Sequence, residues 1–412
     1  MSNAKQNIAR WIDSHFPAQV GMLKKLVQMP SDNPPGDCTP HALMTAQLLQ
    51  DLDLQVEILP VPDEIVQAAG MRSATNLIVR HCFGPGPVVA LNAHGDVVPP
   101  GGGWSKDPYG AEIEDGWLYG RGAAVSKSDI TTYTSALLAL KHSGATLNGT
   151  IELHITYDEE TGGHTGPGWL LDNGITKPDY VVCAALSYFV VTAHNGCLHL
   201  EIAIEGKSAH AAFPGSGCDA IEAGNRLMTA LYQYRDSLAA QHSAVDGIDS
   251  PTLVIGLVQG GINTNVVSDN MVIRLDRRII PEENPEAVER ELMAIIAGVQ
   301  QQLTGISFNL RQILLARPFT PSAQSLALAK IFSDEAEQVL QQPIPLVGLP
   351  LYTDARLYSA AGIPTIMYGA GPRSFLEANG HRADERVHLD DLRHATQIVA
   401  NSLLTLLQEK SA

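Results

Sequence analysis

The sequence predicts an α/β protein on a mainly parallel sheet, with a smaller ferredoxin-like α+β domain inserted into it. Three observations lead there. Strand-like and helix-like runs alternate up to about residue 160; across residues 192–307 the order becomes strand, helix, strand, strand, helix, strand; and after that the alternation returns. The larger domain is then discontinuous, formed by residues 1–191 and 308–412, with residues 192–307 as the insert.

In order along the chain, Ile8, Trp11, Ile12, Phe16, Val20, Leu23, Leu26 and Val27 recur at helical spacing. They predict an opening pair of helices over residues 7–29, ended by PSDNPPGD. A helix over residues 41–52 leads to QVEILPV and NLIVRHC, whose β-branched content reads as strands. VVALNAH is apolar on both faces, as an interior strand of a covered sheet requires. It delivers His94 and Asp96 to its carboxyl end, where α/β proteins build their sites. A Gly- and Pro-rich loop then reaches GRG and a helix over residues 128–142. IELHITYDEE is another strand, ending in Asp158, Glu159 and Glu160. In the insert, GCLHLEIAIEG, TLVIGLVQGG, NMVIRLDRRI and ISFNLRQIL read as strands, and residues 219–240 and 285–303 as helices. A helix over 322–339, a strand–helix–strand over 348–372 and a helix over 390–409 close the chain.

Composition bounds the function. A length of 412 residues suggests two domains, and 45% hydrophobic with 17% charged residues excludes disorder over most of the chain. A net charge of −17 argues against nucleic acid or an anionic membrane as partner, because either would be repelled. The five cysteines are scattered, with no CxxC pair, as in a protein that keeps its thiols reduced. No apolar run approaches membrane-spanning length, and the opening residues show no apolar core with a cleavage site. A soluble cytoplasmic protein acting on a small molecule is expected.

The motifs HGDVVP, GRGAAVSKSD, TYDEE, GKSAHAAFPGSGCDAIEA, GGINTNVVSD, YTDARLYSAAGIP and GAGP…GHRADE, in this order over nearly the whole chain, resemble those of the zinc aminoacylase and carboxypeptidase family. That family includes acetylornithine deacetylase, succinyl-diaminopimelate desuccinylase and glutamate carboxypeptidase. The resemblance implies a catalytic domain with two zinc ions about 3.5 Å apart and an inserted domain that serves as lid and dimerisation surface. It also implies that His94 binds one ion, that Glu160 and His381 bind the other, and that Glu159 is the general base. Asp96 then orients His94. His210 of the insert corresponds to the histidine that reaches a partner subunit's site and polarises the scissile carbonyl, and Asn265 to a substrate-contacting asparagine. Arg278 and Arg373 are candidates to hold a substrate carboxylate through their bidentate fork, with surface solvation as the alternative.

Two ligand positions depart from the pattern. The family's GRGxxDxKG places an aspartate where this chain has Val125, while Lys127 keeps the register, and a second expected carboxylate falls at Ala185. Two zinc ions bring four positive charges, and Glu159 and Glu160 alone leave much of that uncompensated in a buried site. The expectation is a divalent metal, zinc by resemblance, at most one per chain and conceivably none, held by His94, Glu160 and His381, a ligand set that binds single zinc ions elsewhere.

Other readings stay open. Asp129, one helical turn beyond Val125, is either a replacement ligand or an acid drawn to a helix N-terminus. His164 is a replacement ligand or a solvated loop residue. Ser126 and Lys127 suggest a serine–lysine nucleophile or an inherited lysine. The expected function is hydrolysis of the amide of an N-acyl amino acid or small peptide by a homodimer joined through the insert. The alternatives are a catalytically silent binding homologue and a metal-independent enzyme.

Overall fold

A computed structural model describes residues 2–408. The chain forms two compact units, one of Met1–Thr192, Pro321–Val347 and Thr353–Ala412, the other of Ala193–Thr320 and Gly348–Tyr352. The expected return to the larger domain at residue 308 is therefore too early. The strand Ser307–Ala316 pairs antiparallel with Gly196–Glu205, which keeps it in the insert.

The larger unit is built on an eight-stranded sheet, in the order Val56–Pro60, Thr75–Gly84, Gly149–Thr156, Val88–His94, Tyr180–Cys183, Thr365–Met367, Val190–His194 and Leu346–Leu349. The four strands from Gly149–Thr156 to Thr365–Met367 are mutually parallel. This brings the carboxyl ends of Val88–His94 and Gly149–Thr156 side by side, with His94 paired in register with Thr156. Along Gly149–Thr156 the side chains alternate. Ile151, Leu153 and Ile155 enter the main apolar core, while Glu152, His154 and Thr156 share the opposite, equally buried face.

The helices Asn3–Gln28, Lys127–Lys141 and Leu389–Leu407 pack on one another. Lys127–Lys141 is so enclosed that Lys127 to Leu140 are all buried. The predicted opening helix pair is instead one continuous helix, Asn3–Gln28, capped by Ser2 and containing Pro17. Proline removes one backbone donor without ending a helix whose apolar face is held by packing. The closing helix is Leu389–Leu407, and the expected Glu409 end lies outside the described residues.

The insert has the predicted ferredoxin-like topology. Its sheet runs Thr252–Gly260, Asn270–Ile279, Gly196–Glu205, Ser307–Ala316, all antiparallel. Leu198, Leu200, Ile202 and Ile204 face a core shared with the helices Ala220–Leu238 and Pro285–Gln300. Those helices start at Asp219 and Asn284, whose side chains accept the first free amides. A small hairpin pairs Ala209–His210 with Val266–Val267.

Candidate active site

The site begins where two parallel strands end. His94 closes its strand and is 6% exposed. Its Nδ1 lies 2.9 Å from the carbonyl oxygen of Asp96 and 3.3 Å from Asp96 Oδ1. With Nδ1 so occupied, Nε2 is the atom left over, and Glu159 Oε2 stands 3.9 Å from it. Asp96, fully buried, also accepts the backbone amides of Glu159 at 3.3 Å and Glu160 at 3.2 Å, and the Asn33 side-chain amide at 3.0 Å. One carboxylate thus fixes His94 and the backbone of both glutamates.

Asp158, Glu159 and Glu160 follow the neighbouring strand, the last two in a single 3-10 turn. His94, Glu159 and Glu160 offer ligand atoms within 4.8 Å of one another. His381, in a left-handed conformation with φ 61°, brings Nε2 to 3.1 Å from Glu160 Oε1. That oxygen is buried and still lacks a well-directed donor.

Electrostatics here are unbalanced. Burial pushes the Glu159 carboxyl up to about 7, against the pull of His94 and with the help of Glu160 and Asp96. Burial and then Asp96 raise Asp158, while burial, Asp158 and Glu159 raise the buried Asp354. Burial lowers His94, but Asp96, Glu159 and Glu160 outweigh it and hold the imidazole well above its usual value. A site that stabilises an imidazolium among carboxylates is one that suits a cation.

Two expected ligand positions are apolar. Val125 donates its backbone N–H to Glu385 Oε1 at 3.1 Å, and Ala185 is 8% exposed. Glu385 is itself buried against Arg121 at 2.5 Å. Among the described residues His94, Glu159 and Glu160 could hold a cation, with His381 beside Glu160, and neither position 125 nor position 185 offers a carboxylate for a second one.

The remaining candidates separate. Ser126 Oγ is engaged with the backbone of His94, and Lys127 Nζ donates to the carbonyls of Leu26 and Met29 at 3.0 Å. Burial lowers Lys127 to about 7, yet its contacts are those of a strut between a helix end and the site loop. His164 is exposed and outside the cluster. His210 and Asn265 are joined on the insert's hairpin, where Ala211 N–H donates to the Asn265 carbonyl at 3.0 Å. His210 Nδ1 accepts from Ala212 N–H at 3.0 Å, leaving Nε2 free to donate. Arg278 is committed to Asp276 through Nε and Nη2 at 3.0 Å and lies over the Tyr352 ring. Arg373 stacks on Tyr188 and bonds Gln342.

Asn33, Asp354 and Glu385 were not singled out from the sequence. Asp354 and Glu385 fall inside the motifs YTDARLYS and GHRADE, a signal that could have found them. Asn33 lies in a loop that gives none.

With this geometry the family model for peptidase family M20/M25/M40 matches residues 90–405. The chain belongs to that family. It is a hydrolase of amide bonds. Succinyl-diaminopimelate desuccinylase of Wolinella succinogenes is 27% identical over 94% of this chain and 99% of its own length. Aminoacylase-1 of Sus scrofa is 27% identical over 73% of this chain and 75% of its own. Among solved structures, YXEP of Bacillus subtilis, described as a dinuclear metal-binding peptidase of the M20 family, is 17% identical with a TM-score of 0.69. That likeness covers 96% of this chain and 99% of YXEP and bears on the fold.

Proposed function

We propose that the chain hydrolyses the amide of an N-acyl amino acid or small peptide, with Glu159 as general base and one divalent cation, zinc by family likeness, held by His94, Glu160 and His381. The observation that carries this reading is that His94, Glu159 and Glu160 offer ligand atoms within 4.8 Å of one another, with Asp96 bonded to the backbone of both glutamates and His381 beside Glu160. Bound, the ion supplies Lewis acidity.

The chain's own groups do the rest. The Glu159 carboxylate takes a proton from water as the water oxygen adds to the amide carbon, and returns it to the leaving nitrogen as the C–N bond breaks, giving a carboxylic acid and an amine. By family likeness, His210 of a second copy of the chain is the donor proposed for the developing oxyanion through its Nε2, and Asn265 the substrate contact. Arg373 keeps its guanidinium accessible for a substrate carboxylate better than Arg278.

A homodimer through the insert is part of the reading. It is supported by the edge strand Thr252–Gly260, which leaves Val254 57% and Val258 51% exposed. A cytoplasmic location is supported by five free cysteines and by the absence, among the described residues, of a helix long and apolar enough to cross a membrane.

The test is turnover of a panel of N-acyl amino acids and dipeptides with and without chelator, in wild type and Glu159→Gln. Turnover lost in both chelator and the variant is expected. Tight ligand binding with no turnover in any metal makes the chain a binding homologue instead.

A further inference from the structure

Asn33 lies in the loop PSDNPPGD, outside every motif named above. That loop runs beside the one that carries Asp96 and is tied to it by backbone. Asp32 bridges in parallel to Val97, Asn33 N–H donates to the Val97 carbonyl at 2.8 Å, and Val97 N–H donates to the Ser31 carbonyl at 3.0 Å. Ser31 Oγ adds a bond to the Gly95 carbonyl at 2.6 Å. The backbone of Asn33 is thereby held, and its side chain is buried.

The Asn33 amide is forked. Nδ2 donates to Asp96 Oδ2 at 3.0 Å and to Thr161 Oγ1 at 3.2 Å. Asp96 holds His94 and the N–H groups of Glu159 and Glu160, and Thr161 closes the turn on which both glutamates stand. One amide therefore reaches both halves of the site. The Asp96 carboxylate has four such contacts, at 3.3 Å from His94 Nδ1, 3.3 Å from Glu159 N–H, 3.2 Å from Glu160 N–H and 3.0 Å from Asn33. That from Asn33 is the shortest of these four and comes from outside the segments that carry the ligands.

Charge fixes which way the amide points. Turned about, its carbonyl oxygen would face the Asp96 carboxylate, so the nitrogen must face it. Oδ1 is then left buried without a hydrogen-bond partner, 2.9 Å from where a β-carbon on Gly36 would stand. Gly36 has φ 70°, and as a glycine it leaves that oxygen its place. An unpaired buried acceptor destabilises the fold, while the same orientation gives a charge-assisted bond to Asp96.

We propose that Asn33 is a positioning residue of the site. Its amide fixes the rotation of the Asp96 carboxylate, and through Asp96 the placement of His94 against the turn that carries Glu159 and Glu160. It touches no reacting atom. Without its bond, Asp96 Oδ2 is left to the Glu160 N–H alone. The inference rests on the single-cation reading above.

The test is a double-mutant cycle in which metal-free full-length protein is titrated with Co²⁺, read by calorimetry and by the visible absorption of the bound ion. The proteins compared are wild type, Asn33→Leu, Asp96→Ala and the double variant, each checked for folding by thermal melts. Leucine is close to asparagine in size and has no N–H to give. Affinity is expected to fall about 10-fold in Asn33→Leu, the lower end of what losing a ligand's outer partner costs. In the Asp96→Ala background the same substitution is expected to change affinity by less than about twofold, because the partner through which it acts is gone. A general loosening of the fold lowers affinity in both backgrounds. Equal affinity in wild type and Asn33→Leu, or a 10-fold loss that recurs without Asp96, overturns the proposal and leaves the single cation standing. A wild type that binds no Co²⁺ overturns the single-cation reading, and this inference with it. If a variant does not fold, Asn33→Ser or Asp96→Ser takes its place under the same outcomes.

Discussion

One histidine–carboxylate group lies on the buried face of the strand Gly149–Thr156 and another just beyond its carboxyl end, and they are settled in opposite ways. In the middle of Gly149–Thr156, His154 Nδ1 lies 2.9 Å from Tyr358 Oη and Nε2 2.8 Å from Glu152 Oε2. Glu152 also accepts from Arg80 at 2.8 Å and Thr176 at 2.5 Å. Although burial alone raises it, these partners bring its carboxyl down to about 2. A few residues on, at the strand's carboxyl end, Glu159 is pushed up to about 7, Glu160 keeps an oxygen without a directed donor, and Asp158 and Asp354 crowd behind them. Residue types are shared; satisfaction is not. A saturated network stabilises the fold, and an unsaturated one leaves its charges uncompensated, the arrangement the proposed function draws on.

The largest expected effect separates the two ends by activity. Glu159→Gln lowers kcat by about 10²–10⁴-fold with the melting temperature unchanged or raised, because a repelling carboxylate is removed. Glu152→Gln leaves kcat within a few-fold. Steady-state kinetics beside thermal melts decide it, and a Glu152→Gln variant as inactive as Glu159→Gln breaks the comparison.

Metal removal comes next. Stripping the cation restores the carboxylate repulsion, and at an ion concentration of 100 times Kd the bound state gains about 2.7 kcal/mol. Calorimetric melts of chelated protein are expected at a lower temperature, recovering with added Zn²⁺.

The pH dependences run in opposite directions. Glu152, depressed in the fold, contributes stability that is present above its unfolded value near 4.5 and is lost as pH falls toward 2. With its side chain 7% exposed but Arg80 30% exposed, roughly 2 kcal/mol remains after allowing for solvent. Glu159 is raised, so the metal-free fold binds its proton more tightly and loses stability as pH climbs from 4.5 to about 7. Denaturant unfolding of metal-free protein across both windows is expected to show each slope vanish in its own glutamine variant. The smallest effect is Tyr358→Phe, which removes the phenol from His154 and is expected to cost about 1 kcal/mol in the same unfolding measurement with kcat retained.

Much of this was legible in the sequence. His94, Asp96, Glu159, Glu160 and His381 were named from motifs, and the structure brings them together because parallel strands deliver their ends to one edge. The departures at Val125 and Ala185 were legible too, since Lys127 fixed the register. Asn33 was not, because a loop amide that braces a carboxylate from sixty-three positions away leaves no local pattern. The expected opening helix pair is one helix because packing along Ile8, Ile12, Leu23 and Leu26 carries it through Pro17. Asp129 reads from the sequence as a replacement ligand or as an acid drawn to a helix start, and its bond to Ala370 N–H and its orphaned oxygen appear only once the neighbouring backbone is in place.

The most direct measurement is the metal content of protein purified without added metal or chelator, by elemental mass spectrometry per chain. A ligand set of two imidazoles and one carboxylate predicts one divalent ion per chain. Two ions per chain, or none even after soaking in Zn²⁺, contradict the account.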